Sequence, residues 1–422
     1  MPSMIISGLS GNEIFCLARK GFFAGELTVG NSVRSLGFAG SVGSSFKTLA
    51  GGEIENITRM ISEGRHAAIQ RMTEEAQRHG AAGVSGVTSE LKTLSGYTEF
   101  ISQGTAISAQ NPGRFFTTSA SGTELYCHLD AGYTPIAFSM GNVAYALGIG
   151  RGFTGSLRTM AKGEVKEYST MYNRIRHLAL WRLKEEAAQA GANAVVDVRI
   201  EIRPFGPGVV ELLMTGTASH HPRFAPVPVR PEQVVTSELT GAELWNLARM
   251  GYAPIELVMA TSVYSIGLVG GIGTMFAGLA RGELGELTKL IYHARENCLD
   301  LVRQEATGLG AEHVVGNKLT IRELSQGMIE LIATGTALRR LEGVEPLSPE
   351  IIPQAIIRDD DSFTLGGGGL AGLSPSVQLG AAMEQQVQQR VNPLGCLFVL
   401  VGVGVALFVV AIIAILVAAT GN

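Results

Sequence analysis

Basic residues, cysteines and aromatic residues are all scarce in this chain, and each shortage closes off a class of function. Lys and Arg total 33 against 37 Asp and Glu, a formal net charge of -4, so there is no electrostatic footprint for nucleic acid. Aromatic residues make up 6% of the chain and interleave with no basic stripe. Four cysteines are too few for a disulfide framework, and none forms a CxxC pair. Cys16 and Cys127 occupy matching positions of an internal repeat whose third copy has Asn246, which reads as a small half-buried site rather than a metal or redox centre. The opening MPSMIISGLSGNEIF has neither a charged n-region nor an apolar core, so no secretory signal is expected. No G-x-S-x-G or H-E-x-x-H occurs, and no cysteine–histidine pair recurs from copy to copy. The expectation is a non-enzymatic protein, with no catalytic and no cofactor-binding residue assigned.

What is present is one pattern written three times. Residues 52–80, 163–191 and 282–310 each open on Gly-Glu, run free of proline, and stop at a glycine followed by alanine. In the middle copy Val165, Tyr168, Tyr172, Ile175, Ala179, Leu183 and Ala187 recur at steps of three and four, one stripe of a 3.6-residue period. The other copies repeat the stripe from Ile54 to Ala76 and from Leu284 to Ala306. Glu53, Glu164 and Glu283 are expected in the first helical turn, where the dipole favours a carboxylate. Gly80, Gly191 and Gly310 suit the left-handed residue that ends a helix. A helix of about 27 residues is roughly 40 Å long. That exceeds what a domain of about 100 residues covers, so part of it should pack on another copy or another chain.

Around each long helix the order is also repeated. Ser10 with Glu13, Ser121 with Glu124, and Thr240 with Glu243 fit the capping box of a short first helix. A strand follows, clearest at residues 252–259, then a glycine-rich connection, the long helix, and two strands that close on Gly-Thr-Ala. Each unit therefore reads α-β-α-β-β, an α+β domain with one long helix packed on a small β-sheet. The glycine-rich connections do not match the G-x-x-x-x-G-K-[ST] phosphate loop, and the glutamates after them would repel a phosphate.

The segment GELTVGNSVRSLG from Gly25, the glycine-rich link, the long helix, the strand start at 310–316 and the closing Gly-Thr-Ala together resemble the YbjQ family, also called UPF0145. The likeness covers roughly residues 7 to 340, three times over. It implies a small α+β fold that assembles into rings, usually pentamers, and brings a heavy-metal-binding label. It supplies no catalytic residues. The division expected is 1–108, 115–219 and 234–341 for three YbjQ-like repeats, 220–233 for a Pro-rich spacer, 342–394 for a flexible tether, and 395–419 for a transmembrane helix.

That last segment holds 24 uncharged residues, 396–419. At helical rise they cover about 36 Å, enough for a hydrocarbon core of about 30 Å. With only Thr420, Gly421 and Asn422 beyond it, a tail anchor in the lipid bilayer is expected, with the repeats on the cytosolic side.

His66 and His177 match between copies, while the third has Glu296. His220 and His221 begin the spacer, where adjacent side chains point to opposite faces. Since a ring could gather one histidine per chain on its axis, His66, His177, His220 and His221 are the candidate metal ligands. Arg65, Arg176 and Arg295 share one helix position and are expected to pair with a neighbouring carboxylate. The whole reads as a membrane-tethered scaffold whose partner is itself, in a ring- or dome-shaped homo-oligomer of possible five-fold symmetry. Divergence of the copies favours stacked rings. The alternative is a metal-ion or small-ligand binding module with sites between subunits.

Overall fold

The computed structural model describes residues 5–35, 52–94, 97–147, 163–206, 208–265, 285–325 and 328–341. Most of the glycine-rich connections, the tether at 342–394 and the apolar run at 396–419 lie outside the described residues. Among the described residues no helix is long and apolar enough to cross a membrane.

Each repeat opens with a nine-residue helix: α1 (Gly11–Arg19), α3 (Gly122–Asp130) and α5 (Gly241–Arg249). Ser10, Ser121 and Thr240 accept from the N–H groups of Glu13, Glu124 and Glu243, as the capping-box spacing predicts. Glycines 21, 132 and 251, with φ of 80°, 95° and 77°, turn the chain into long strands. These are β1 (Phe22–Ser35), β6 (Thr134–Ala146) and β11 (Tyr252–Ser265). The long helices are α2 (Glu55–Arg78), α4 (Lys166–Ala190) and α6 (Gly285–Gly308). Three hairpins complete the units: β3 (Gly83–Leu94) with β4 (Tyr97–Ala109), β8 (Ala194–Gly206) with β9 (Val209–His220), and β12 (His313–Ser325) with β13 (Met328–Arg340). The result is mixed α+β, three times in tandem.

The helix stripe is where periodicity placed it. In α4 and at its entry, the seven stripe residues from Val165 to Ala187 are all buried against the sheet. Each Leu, Ile or Met so placed contributes about 1.5–3 kcal/mol. The sheet comes close enough to need glycine. A Cβ added to Gly141 would lie 2.0 Å from the Ala179 carbonyl oxygen and 2.6 Å from the Leu183 nitrogen, and one on Gly30 would lie 2.1 Å from the Ala68 oxygen.

The helix start differs from expectation. Gly52–Glu53 and Gly163–Glu164 form two-residue strands, β2 and β7, and the helices begin beyond them. Their glycines, at φ 111° and 142°, are incompatible with a helical turn. Instead the chain enters along a neighbour's edge: β2 pairs antiparallel with β6 of repeat two, and β7 with β11 of repeat three. The first-turn acids are Glu55 and Glu167. The third Gly-Glu lies outside the described residues.

Strands are also lent in the other direction. β5 (Phe116–Thr117) runs parallel to β3, and β10 (Val235–Thr236) to β8. The sheets therefore read β1-β4-β3-β5, β10-β8-β9-β6-β2 and β12-β13-β11-β7. Consecutive repeats share sheets within one body, side by side, rather than standing as separate layers. The proline-rich stretch at 220–233 is built into this body too, since His221 and Phe224 are buried and stack at 4.4 Å between ring centroids.

Candidate functional site

No enzyme-like constellation is gathered among the described residues. What the fold builds with care is the joint between one repeat and the next, and it builds it twice. Arg65, fully buried on α2, reaches forward to Glu211 of the second repeat by two hydrogen bonds, Nε–Oε1 at 3.0 Å and Nη2–Oε2 at 2.6 Å. Its remaining nitrogen donates to the carbonyl and hydroxyl oxygens of Ser89, both at 3.0 Å. Arg176 makes the same reach from α4, with Nη2 2.5 Å from Glu330 of the third repeat. Arg65 and Arg176 thus find carboxylates on the adjoining repeat, whereas Arg295 meets Glu296 of its own helix. Planar, bidentate geometry makes the Arg65–Glu211 pair tolerable in a dry interior, while Glu330 is met by one bond from Arg176 and by Arg322 at 3.4 Å.

Other contacts follow the same rule. The Thr58 hydroxyl accepts from the Ala144 N–H at 2.9 Å, and Ser169 accepts from Val263 at 2.9 Å. Asn173 exchanges two 2.8 Å hydrogen bonds with the Thr261 backbone. Arg182 returns from α4 to Glu53 at 2.7 Å, and Lys184 pairs with Glu256 at 2.8 Å. On the far side the short helices stack through glycine: Gly122 N–H donates to Glu13 and Gly241 N–H to Glu124, each at 3.1 Å. The two acids that meet Arg65 and Arg176 were not singled out from the sequence. Glu211 and Glu330 are lone carboxylates inside apolar strands, VVELLM and MIELIA, at matching places.

The four histidines are not brought together. His66 pairs with Glu186 at 3.0 Å and its Nδ1 donates to the Ser62 carbonyl oxygen at 2.8 Å. The Glu186 hydrogen bond raises its pKa, against burial. His177 sits 3.8 Å from Glu305, its pKa lowered by burial. His221 stacks on Tyr133 and Phe224, while His220 ends β9. Among the described residues no three His, Cys, Asp or Glu side chains converge as a metal would require. Burial and Glu124 push Cys127 up to about 12, and burial and Glu13 raise Cys16, so neither supplies a thiolate at neutral pH. A cleft of about 450 Å³ does open between repeats two and three beside Asp130, His221, Trp245 and Arg249.

His128 on α3 is a buried group with a testable consequence. Neither ring nitrogen has a hydrogen-bond partner among the described residues, and burial drives its pKa down to about 4 despite Asp197 nearby. Unfolded histidine titrates near 6.5, so as pH falls from about 6.5 to 4 the unfolded state takes the proton first and folding weakens by about 3 kcal/mol. Glu305 works in the opposite sense, because burial lifts it to about 7 and the folded state protonates first. Comparing wild type with His128→Phe isolates the histidine. Denaturant unfolding at pH 7 and pH 4 should show the variant losing about 3 kcal/mol less, and parallel losses would refute this.

A family model described as "Putative heavy-metal-binding" (YbjQ) matches residues 24–110, 134–221 and 250–340. A Mycobacterium tuberculosis protein named as an encapsulin nanocompartment protein is 30% identical over 242 residues, covering 56% of this chain and 90% of that one. A UPF0145 protein of Methanoregula boonei is 42% identical over 83 residues, 20% of this chain and 69% of its own. Another from Methanocella arvoryzae is 38% identical over 100 residues, 24% and 77% respectively.

Proposed function

Because this chain belongs to the YbjQ family, three domains in tandem, we propose that it is a self-assembling, non-enzymatic scaffold held on a membrane by its C-terminal segment. The observation that carries the reading is the joint between repeats. A domain that buries an arginine against its neighbour's glutamate and lends it a strand is built to adhere to its own kind. The name of the mycobacterial relative, which places that protein with an encapsulin nanocompartment, supports an assembly role. The membrane part rests on the 24 uncharged residues at 396–419. The repeats would then face the cytosol.

Light scattering on the detergent-solubilised full chain tests the assembly, with a mass well above the 44.5 kDa chain expected. A monomer at all concentrations would refute it. Removing 396–419 should move the protein from the membrane pellet to the supernatant, and an unchanged pellet would refute the anchor. Elemental analysis of the same peak tests the metal-binding alternative, which requires a fixed ratio per chain.

A further inference from the structure

We propose that a second copy of this chain docks head to tail, its first repeat seated on the third repeat of the copy before it through the same joint that links the repeats internally. The inference rests on the self-assembly reading and specifies its interface. Each internal joint has two halves. One is the long helix and outer hairpin strand of a repeat; the other is the long strand and closing hairpin strand of the next.

Among the described residues, the two ends of the array each carry one half uncovered. β6 and β11 are covered at their outer edges by β2 and β7, whereas β1 is the edge of its sheet. Val33 on β1 is 56% exposed, and its counterparts Ala144 and Val263 are 0% exposed. Leu27 and Val29 are likewise exposed, where Phe138, Met140, Leu257 and Met259 are buried. At the opposite end, β3 and β8 carry β5 and β10, whereas β12 is an edge. Leu319 and Ile321 on it are exposed, where their counterparts Ile200 and Ile202 pack against the core. Both faces would be large apolar liabilities on an isolated chain.

The polar groups are complementary as well. Arg295 stands at the position of Arg65 and Arg176, yet among the described residues it meets Glu296 at 3.4 Å and the Tyr292 ring of its own helix. Glu99 stands at the position of Glu211 and Glu330, and meets Asn31 at 3.4 Å. Joining the ends pairs them. Thr288, exposed on α6, takes the place of Thr58 and Ser169 as acceptor, and the Val33 N–H takes that of Ala144 and Val263. A Cβ on Gly122 or Gly241 would strike the preceding repeat at 2.7 Å, but one on Gly11 would meet nothing within 4 Å. That space fits the short helix of another chain.

One position breaks the match. Where His66 faces Glu186 and His177 faces Glu305, Glu296 would face Glu75. Like charges make the joint between chains the weakest in the assembly. Counting also follows, since head-to-tail contacts form rings of whole chains where the rotation closes and open filaments where it does not. With three repeats per chain, such a ring holds a multiple of three, and a ring of five repeats is ruled out.

The test uses the full-length protein in detergent. Glu99→Arg and Arg295→Glu should each raise the dissociation constant about a hundredfold or more, by leaving a buried charge opposed. The two changes in one chain should restore assembly, and Glu296→His should tighten it. Ile5 and His313 correspond to Phe116 and Gly83, which are paired across β5 and β3. Ile5→Cys with His313→Cys should therefore give an oxidised ladder in steps of 44.5 kDa that neither single change gives. An oligomer indifferent to both charge reversals and yielding no ladder would overturn this joint while leaving self-assembly intact. A wild-type monomer would overturn both. If the reversed proteins misfold, Glu296→His and the ladder decide the matter.

Discussion

Replacing Arg65 with methionine is expected to destabilise the folded chain by about 3–5 kcal/mol, because it strands Glu211 without a partner in a dry interior. Arg65 is 0% and Glu211 1% exposed, so water cannot take over the lost hydrogen bonds. Ser89 loses its donors at the same time. The double change Arg65→Met with Glu211→Leu removes both charges and should recover most of that loss, since apolar groups of similar volume fill such a site well. Denaturant unfolding of the wild type, the two single variants and the double variant measures the coupling. Additive losses would mean that the pair does not act as a unit. A small loss for the single variant would mean that the joint opens enough to admit water.

The second large effect is steric. Gly141→Ala should cost about 3 kcal/mol, at the upper end for overpacking, because the new methyl meets backbone rather than a side chain that can swing aside. The helix would have to lift off the strand between Ala179 and Leu183. Gly206→Ala is the control, with nothing within 4 Å of the added Cβ, and should change stability by no more than about 0.5 kcal/mol. Equal thermal shifts for the two would show that the close approach is easily relieved. Repeat three has Ala260 at this position, buried, so its helix is set to receive a Cβ.

Much of the fold could be read from residue order. The stripe from Val165 to Ala187, the capping boxes at Ser10 and Thr240 and the left-handed Gly80, Gly191 and Gly310 each depend on residues close in sequence, and each is found in place. Local pattern failed where the partner is far away. Glu53 looks like a first-turn acid because helix rules see only its own segment, yet it lies on a strand of the next repeat and pairs with Arg182. The partners of Arg65 and Arg176 were invisible for the same reason, being 146 and 154 residues distant. Left-handed backbone at the hairpin bulge was hidden in another way. Gly86 and Gly316 announce it, but the middle copy uses Asp197 at φ 54°, a conformation that Asp tolerates better than most side chains. The candidate metal ligands were chosen because a ring could gather one histidine per chain, and nothing local in the sequence foresaw that two of them face carboxylates across a joint.

The lent strands bear on how a nascent chain acquires this structure. Ile54 and Val165, which lead into the first two long helices, each donate a hydrogen bond to a carbonyl synthesised about 90 to 100 residues later, those of Ala144 and Val263. A repeat leaving the ribosome is thus incomplete, and is finished by its successor. Cooperative units are therefore expected to span repeat boundaries instead of coinciding with them.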